Sequence, residues 1–259
     1  MNIVEAPAPF RNLTFRRILG VDVASIGRDE ALALLSQLVA GRTFAKIGFL
    51  NAHNANVACS DREFAAALGN FLVLADGVGV DVAAKLLYGA PFPANLNGTD
   101  FVPALLSACD KPLTVGLLGA TKVNAERAAQ RLGELAPRHR YVVVRDGYFA
   151  AAEEPAILSQ LAELRPDILL VAMGVPRQEL WIERNLDGQH CTLPIAVGAL
   201  LDFLSGSVPR APQWMRQLRL EWLFRLIIEP GRLWRRYVVG NPVFLTRVLL
   251  QKLRGEGKP

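Results

Sequence analysis

Six short turns carry the acidic, amide and glycine residues of this sequence that could bind phosphate or accept a proton. They are Asn51-Ala52-His53-Asn54, Asp76-Gly77-Val78-Gly79, Gly119-Ala120-Thr121, Asp146-Gly147-Tyr148-Phe149, Met173-Gly174-Val175-Pro176 and Gly198-Ala199-Leu200-Leu201-Asp202. Four of them contain glycine where a helix would begin, so bare backbone N–H groups can face a phosphate there. The pattern favours a nucleotide or nucleotide-sugar site, with a purely structural set of glycine turns as the alternative.

Asp76 is the residue in these turns to which a reaction step could be assigned. Its structural role would be a helix N-cap or a turn former before Gly77, which is the usual function of an Asp-Gly pair. Its functional role would be a carboxylate that accepts a proton from a sugar hydroxyl beside a phosphate-binding turn. The local spacing leaves both roles open. Glu153 and Glu154, by contrast, open a helix and are predicted to be solvated caps.

The spacing does not support other classes of site. Gly116 and Gly119 form only part of a dinucleotide fingerprint, and the sequence contains no G-x-x-x-x-G-K-[ST] segment. The histidines at positions 53, 139 and 190 are scattered, and the cysteines at 59, 109 and 191 are isolated. We therefore expect no metal site, no disulfide framework and no bound cofactor.

Apolar runs alternate with helical patterns through the first four fifths of the chain. Strands are predicted at 45–50, 71–75, 113–118, 141–144, 168–172 and 194–198, and helices at about 28–40, 54–69, 79–88, 99–109, 122–136, 153–164 and 176–187. Strands that are apolar on both faces and alternate with helices indicate a parallel sheet covered on both sides. We predict an α/β fold, a Rossmann-like, mostly parallel sheet flanked by helices, over residues 1–206. Ligands bind such a sheet at the carboxyl ends of its strands, which is where the six turns lie.

Residues 207–259 have a different pattern. Prolines divide this segment into short stretches that mix large apolar residues with arginines. Trp214, Leu218 and Trp222 recur at i, i+4 spacing, and Arg225 follows Glu221 by the same spacing. From Arg210 onward there are eleven basic residues and three acidic ones, a charge of +8 against −3 for the remainder. We predict a basic amphipathic helical appendage that docks on an anionic membrane surface and can also complete the site. The alternatives are a domain-closing or homo-oligomer-contact helix, and a nucleic-acid patch that no recognised motif supports.

The composition indicates a folded protein. The chain has 259 residues, of which 51% are hydrophobic and 20% charged, which is too apolar for disorder. The N-terminal residues lack the apolar stretch of a signal peptide, and no uninterrupted apolar run approaches the roughly 20 residues of a membrane span. Isolated cysteines fit a reducing compartment. We expect a cytoplasmic protein, peripherally associated with the inner membrane face.

Several segments together resemble the WecG/TagA/CpsF family of bacterial glycosyltransferases. They are ADGVGVDVAAKLLYG, NGTD at 97–100, GLLGAT, DGYF, MGVPRQELWI at 173–182, GALLDFLSG at 198–206, and RAP-x-W followed by LEWLFRL-x-x-EPGR-x-x-RR. The resemblance keeps chain order over roughly residues 45–240. It implies a metal-independent, inverting transferase on a Rossmann-like fold. Such an enzyme moves a hexose, a hexosamine or a uronic acid from a UDP-sugar to a sugar on polyprenyl diphosphate, in polysaccharide biosynthesis.

The resemblance also implies roles for individual residues. Asp76 would be the catalytic base, and the substrate-binding residues would be Asn51, Gly77, Gly79, Asn97, Gly98, Asp100, Tyr148, Gly174, Gln178, Asp202, Arg210, Arg225 and Arg232. In this set Tyr148 and Asp202 belong to the uridine side. The arginines of the appendage would cover the site and meet the diphosphate, whose developing charge needs cations or N–H donors.

Two positions depart from the family pattern. Phe49 stands where family members often carry Thr, and Asn95 replaces the arginine of an E-R-x-T-G segment. We interpret both as signs of a different, less anionic sugar. A non-catalytic nucleotide-binding or basic scaffold protein at the membrane is the alternative function.

Overall fold

The computed structural model describes residue 10, residues 12–218 and residues 220–255. Its centre is a six-stranded parallel sheet in the order β4-β3-β8-β7-β5-β6. The strands are β3 (Lys46–Leu50), β4 (Phe71–Ala75), β5 (Thr114–Gly119), β6 (Arg140–Arg145), β7 (Ile168–Ala172) and β8 (Leu193–Ala196). All six lie where the sequence predicts them, so the predicted fold class is confirmed.

Helices follow the strands and cover both faces of the sheet. They are α1 (Arg28–Ala40), α2 (Ala52–Ser60), α3 (Arg62–Leu68), α4 (Val78–Tyr88), α5 (Gly98–Ala108), α6 (Lys122–Leu135), α7 (Glu154–Leu164), α8 (Arg177–Asn185) and α9 (Leu200–Leu204). A short antiparallel hairpin, β1 (Phe15–Ile18) with β2 (Val21–Ala24), precedes α1. The sequence did not predict this hairpin because strands of four residues with charged members show little periodicity.

The strands of the sheet send alternate side chains into two hydrophobic clusters, one on each face. In β7, Ile168 and Leu170 belong to the cluster that contains α1, α5 and α6, whereas Leu169 and Val171 belong to the cluster that contains α2, α3, α4 and α8. Every residue of this strand is buried. Because helices cover both faces, the carboxyl ends of the strands are where a ligand can bind.

The C-terminal region is helical, as predicted. It comprises α10 (Gln213–Gln217), α11 (Glu221–Ile228), α12 (Pro230–Trp234), a π-helical segment (Arg235–Val239) and α13 (Gly240–Leu253). Pro242 lies in the first turn of α13 and has no backbone N–H. It therefore cannot donate a hydrogen bond to the carbonyl of Val238, which lies in the π-helical segment. Phe244 and Val248 of α13 are buried in the same cluster as α2 and α4. The last helix therefore packs directly on the sheet domain.

Two helical stretches are interrupted where the sequence pattern appears continuous. Asp61 has an extended backbone and ends α2, while its side chain accepts hydrogen bonds from the N–H groups of Glu63 and Phe64 and caps α3. The amphipathic pattern of residues 213–228 is divided into α10 and α11. Among the helices described, none is long and apolar enough to cross a membrane.

Candidate active site

A cleft of about 770 Å³ runs along the carboxyl ends of the parallel strands. Each of the six turns singled out in the sequence contributes to its lining, through Asn51, Asp76, Ala120, Tyr148, Gly174 and Gly198 among others. The turns after β4 and β6 stand at opposite edges of the sheet. Five inter-strand spacings of about 4.8 Å separate those edges, roughly 24 Å. The cleft can therefore take an extended ligand.

Asp76 lies at the β4 end of the cleft and does not cap α4. The N-cap of α4 is Gly77, and no side chain caps that end. Asp76 Oδ2 instead accepts a hydrogen bond of 3.1 Å from Asn51 Nδ2. No hydrogen bond from a described residue reaches Asp76 Oδ1. The structural interpretation of this residue as a helix cap is wrong, and its carboxylate retains an acceptor atom for a ligand.

The pKa of Asp76 reflects opposing influences. Burial raises it above the ordinary value for an aspartate, while the hydrogen bond from Asn51 and the nearby charges of Arg236 and Arg225 act to lower it. The carboxylate of Asp100 adds a further small increase. An aspartate with a raised pKa is a better proton acceptor than an exposed one, provided that it is ionised at the working pH.

Asn51 and His53 bring α2 into the site. Asn51 Oδ1 accepts from the N–H of Asn54 at 3.0 Å, so that this side chain caps α2 with one atom and holds Asp76 with another. His53 lines the cleft. Burial and then the charge of Arg236 lower its pKa to about 4, so the imidazole is neutral near pH 7. The first turn of α2 thus supplies neutral hydrogen-bonding groups beside the carboxylate.

The NGTD segment forms the start of α5 at the same end of the cleft. Asn97 Oδ1 accepts from the N–H of Asp100 at 3.0 Å and caps the helix. Asp100 Oδ1 accepts from Arg210 at 2.8 Å, and Arg210 also lies 3.6 Å from Glu221. Arg210 therefore links the appendage to α5. Arg210 was predicted to bind substrate, but it lies beside the cleft and not in its lining.

Gln178 is buried at the cleft floor, and both ends of its amide are engaged. Its Oε1 accepts from the N–H of Gly198 at 3.1 Å, and its Nε2 donates to Glu179 Oε1 at 2.9 Å. Glu179 is 1% exposed, and its Oε2 has no hydrogen-bond partner among the described residues. Burial raises the pKa of Glu179 to about 7. The pair connects the turn after β7 to the turn after β8.

The opposite end of the cleft contains Tyr148 and Asp202. Tyr148 is 77% exposed at the rim, and its ring is free to cover a ligand. Arg177 donates to the carbonyl of Gly147 at 2.8 Å and lies over the Phe149 ring, so it fixes this turn from α8. Asp202 Oδ1 accepts from Asn124 at 2.8 Å.

The appendage covers the cleft, and its lining residues between Glu221 and Leu245 are called the roof below. Trp222 of α11 packs on Tyr237 of the π segment, with ring centroids 5.9 Å apart. Arg225 lies over the ring of Phe203 at 5.1 Å, and its buried Nε has no hydrogen-bond acceptor among the described residues. Arg236 also lines the cleft. The side chain of Arg232, which the sequence also pointed to, lies outside what the structure describes.

Close packing explains two of the predicted glycines. A Cβ on Gly79 would lie 3.1 Å from the Ala52 side chain, and one on Gly98 would lie 3.2 Å from the Phe49 ring. Gly77 and Gly174 have φ values of +88° and +78°, a region that other residues rarely adopt. These positions shape the cleft with backbone rather than with side chains.

Sequence reasoning missed several residues that line the cleft. They are His53, Arg177, Phe203, Glu221, Trp222, Arg236 and Tyr237. Arg236 carried one usable signal, because it is one of the arginines of the appendage, which the sequence expected to cover the site. Phe49 and Asn95, the two departures from the family pattern, also line the cleft.

The arrangement combines a partly desolvated carboxylate, neutral amide and imidazole groups, and two arginines on a roof that covers them. Such a site can remove a proton from a hydroxyl and stabilise negative charge that develops a short distance away. Across the part of the chain that the structure describes, no three His, Cys, Asp or Glu residues group as metal ligands.

Comparisons with known proteins identify a family of glycosyltransferases. The model of the glycosyl transferase WecG/TagA/CpsF family matches residues 16–258. Three similar proteins are each named N-acetylglucosaminyldiphosphoundecaprenol N-acetyl-beta-D-mannosaminyltransferase. The one from Bacillus spizizenii is 32% identical over 188 residues, 72% of this chain and 71% of its own. The one from Bacillus subtilis is 31% identical over 211 residues, 80% of each chain. The one from Staphylococcus aureus is 29% identical over 181 residues, 70% of this chain and 69% of its own.

Proposed function

The chain belongs to the WecG/TagA/CpsF family of glycosyltransferases, and from that premise we propose that it transfers a sugar from a UDP-sugar to a sugar carried on polyprenyl diphosphate. Asp76 is the general base, and the anomeric carbon is inverted in a single displacement. The observation that carries the proposal is the Asp76 carboxylate, which lines the cleft, is held by Asn51 through one oxygen, and receives no hydrogen bond from a described residue at the other. A base in this state can take the proton of an acceptor hydroxyl as it attacks.

The leaving diphosphate is stabilised by the roof. Arg225 and Arg236 both lie close enough to Asp76 to act on its pKa, so the developing charge on a leaving group near Asp76 is within their reach as well. The unpartnered Nε of Arg225 supports a role in binding an oxyanion. With these cations in place the transfer proceeds without a metal ion. The uridine then lies toward Tyr148 and Asp202, at the far end of the cleft.

The three relatives are named for transfer of N-acetylmannosamine to N-acetylglucosaminyl diphosphoundecaprenol, and this supports an N-acetylhexosamine or hexose donor for the present chain. The groups around Asp76 favour an uncharged sugar too, because Asn51, Asn95, Asn97 and the neutral His53 line that end of the cleft. A uronic acid is the less favoured donor. The amide and imidazole groups match hydroxyl and N-acetyl oxygens as hydrogen-bond partners.

The donor and the linkage can be identified in one assay. The protein and the acceptor N-acetylglucosaminyl diphosphoundecaprenol are incubated with one donor at a time. The donors are UDP-N-acetylmannosamine, UDP-N-acetylglucosamine, UDP-glucose and a UDP-uronic acid. The product is identified by mass and its anomeric configuration by NMR. The expected product is a β-linked sugar from an uncharged α-linked donor. Binding of UDP without transfer from any donor would support the non-catalytic scaffold instead.

The appendage also docks the enzyme on the membrane that carries the acceptor. Of the sixteen large apolar side chains that are exposed among the described residues, twelve lie at position 214 or later. They share this segment with the excess of arginine and lysine. Exposed apolar groups with basic neighbours bind an anionic lipid surface, where each basic residue contributes about 1 kcal/mol. These features support a peripheral association of the enzyme with the inner face of the membrane.

A further inference from the structure

The loop between α4 and α5 lies directly against the turn that carries Asp76. The N–H of Leu96 donates to the carbonyl of Ala75 at 2.8 Å, and the Leu96 side chain is 1% exposed. One residue later, Asn97 caps α5. The backbone on the C-terminal side of Asn95 is therefore anchored to the end of β4 and to the start of a helix.

From this anchored loop, the Asn95 side chain contacts the turn that carries Asp76. Its Oδ1 accepts a hydrogen bond of 2.9 Å from the N–H of Gly77. Gly77 is the N-cap of α4, with φ at +88°, and the helix itself supplies no acceptor for its N–H. An N–H at the start of a helix has no acceptor within the helix itself.

Asp76 is consequently fixed from two sides. On the side of β3, its N–H donates to the carbonyl of Leu50 at 2.9 Å and its carboxylate accepts from Asn51. On the other side, the bond between Gly77 and Asn95 fixes the peptide that follows it. Asn95 also lines the cleft, and no described residue accepts a hydrogen bond from its Nδ2.

We propose that Asn95 is a positioning residue for Asp76: it holds the peptide after the carboxylate so that the free oxygen faces the acceptor hydroxyl. This inference rests on the proposed function, in which Asp76 is the base. Alignment of this kind has a large effect on rate, because a displacement of about 1 Å can cost on the order of 100-fold. No contact of Asn95 with the uridine is involved, so the affinity for UDP does not depend on it.

Two substitutions separate positioning from a structural role. Asn95→Ala removes the acceptor, and kcat is expected to fall by roughly tenfold or more while the affinity for UDP is unchanged. Asn95→Asp keeps an acceptor for Gly77 and adds a negative charge beside Asp76. The charges that already face Asp76 are Arg225, Arg236 and Asp100, with the neutral His53 nearby. The acidic limb of the rate profile should move to higher pH in Asn95→Asp, with kcat recovering above it.

A second measurement does not depend on activity. Amide hydrogen exchange at Gly77 should be at least about tenfold faster in Asn95→Ala than in the wild type, and protected again in Asn95→Asp. Asn70→Ala is the matched control, since Asn70 bonds to Glu183 outside the cleft. An active wild type with unchanged kcat in Asn95→Ala, or unchanged exchange at Gly77, would overturn the inference. Absence of transfer by the wild type would instead count against the proposed function, and the exchange result would still decide whether Asn95 holds the turn.

Discussion

Asn51 Nδ2 donates a hydrogen bond of 3.1 Å to Asp76 Oδ2, and this contact joins the first residues after two neighbouring parallel strands. It fixes the rotamer of the carboxylate, and no described residue donates a hydrogen bond to the other oxygen. The same contact lowers the pKa of Asp76 against the effect of burial. One amide therefore contributes to both the position and the ionisation of the proposed base.

Replacing Asn51 with Asp tests that control. The variant keeps an oxygen to cap α2, but it sets a second carboxylate against Asp76 in place of a donor. Two adjacent carboxylates cannot both ionise easily, so the pair retains a proton to higher pH. We expect the acidic limb of kcat to move up by one pH unit or more, with Asn70→Asp unchanged. An unmoved limb would show that Asn51 does not tune the base.

Glu179 predicts a pH dependence of stability rather than of rate. Its pKa in the folded protein is raised to about 7 from an ordinary value of 4.5, so the folded state binds the proton more tightly than the unfolded state. The resulting stabilisation is complete below pH 4.5 and is lost as the pH rises through 7, a change of about 3 kcal/mol. Urea unfolding between pH 5 and 8 should show this loss, and Glu179→Gln should remove most of it. If the free energy of unfolding fell equally with pH in the wild type and in Glu179→Gln, the raised pKa would not belong to Glu179.

Arg225 and Arg236 are expected to bind the diphosphate. A charge-assisted hydrogen bond contributes about 1.5 to 3 kcal/mol, so Arg225→Ala or Arg236→Ala should weaken UDP binding by roughly 10-fold to 100-fold. Arg236→Ala should also shift the acidic limb of the rate to higher pH, because it removes a charge that lowers the pKa of Asp76. Isothermal titration with UDP measures the first effect. Arg131→Ala, on the exposed face of α6, is the control and should bind as the wild type does.

Membrane docking can be tested on the exposed side of α13. Leu249 and Leu253 are 48% and 83% exposed, and neither packs in the core. The double change to Glu removes apolar surface and adds repulsion from anionic lipid, so binding to phosphatidylglycerol vesicles should fall at least about tenfold. Val123→Glu, an exposed apolar position on α6, should bind like the wild type. Equal sedimentation of all three proteins would exclude α13 as the docking surface.

The sequence was sufficient to predict the sheet and most of the residues on the cleft floor. Strands such as β7 are apolar on both faces, and this pattern has few alternatives to a covered parallel sheet. The carboxyl ends of those strands then had to meet, which brought Asn51 and Asp76 together although 25 residues separate them. The positions of catalytic interest followed from topology.

The roof could not be predicted in the same way. Arg236 and Tyr237 reach the cleft from a π-helical segment, and helical periodicity of 3.6 residues does not anticipate that widened turn. The contact of Asn95 with Gly77 was equally hidden, because it depends on how an irregular loop is anchored through Leu96. Loops and helix irregularities are decided by tertiary contacts that a local pattern does not contain.

The central claim, that Asp76 is the base of a sugar transfer, is tested most directly by comparing Asp76→Asn with the wild type in the donor and acceptor assay. The amide preserves the size of the side chain but cannot take the proton. We predict a fall in kcat of about 10²- to 10⁴-fold, with UDP affinity within a few-fold of the wild type. Turnover at the wild-type rate in Asp76→Asn would contradict the account.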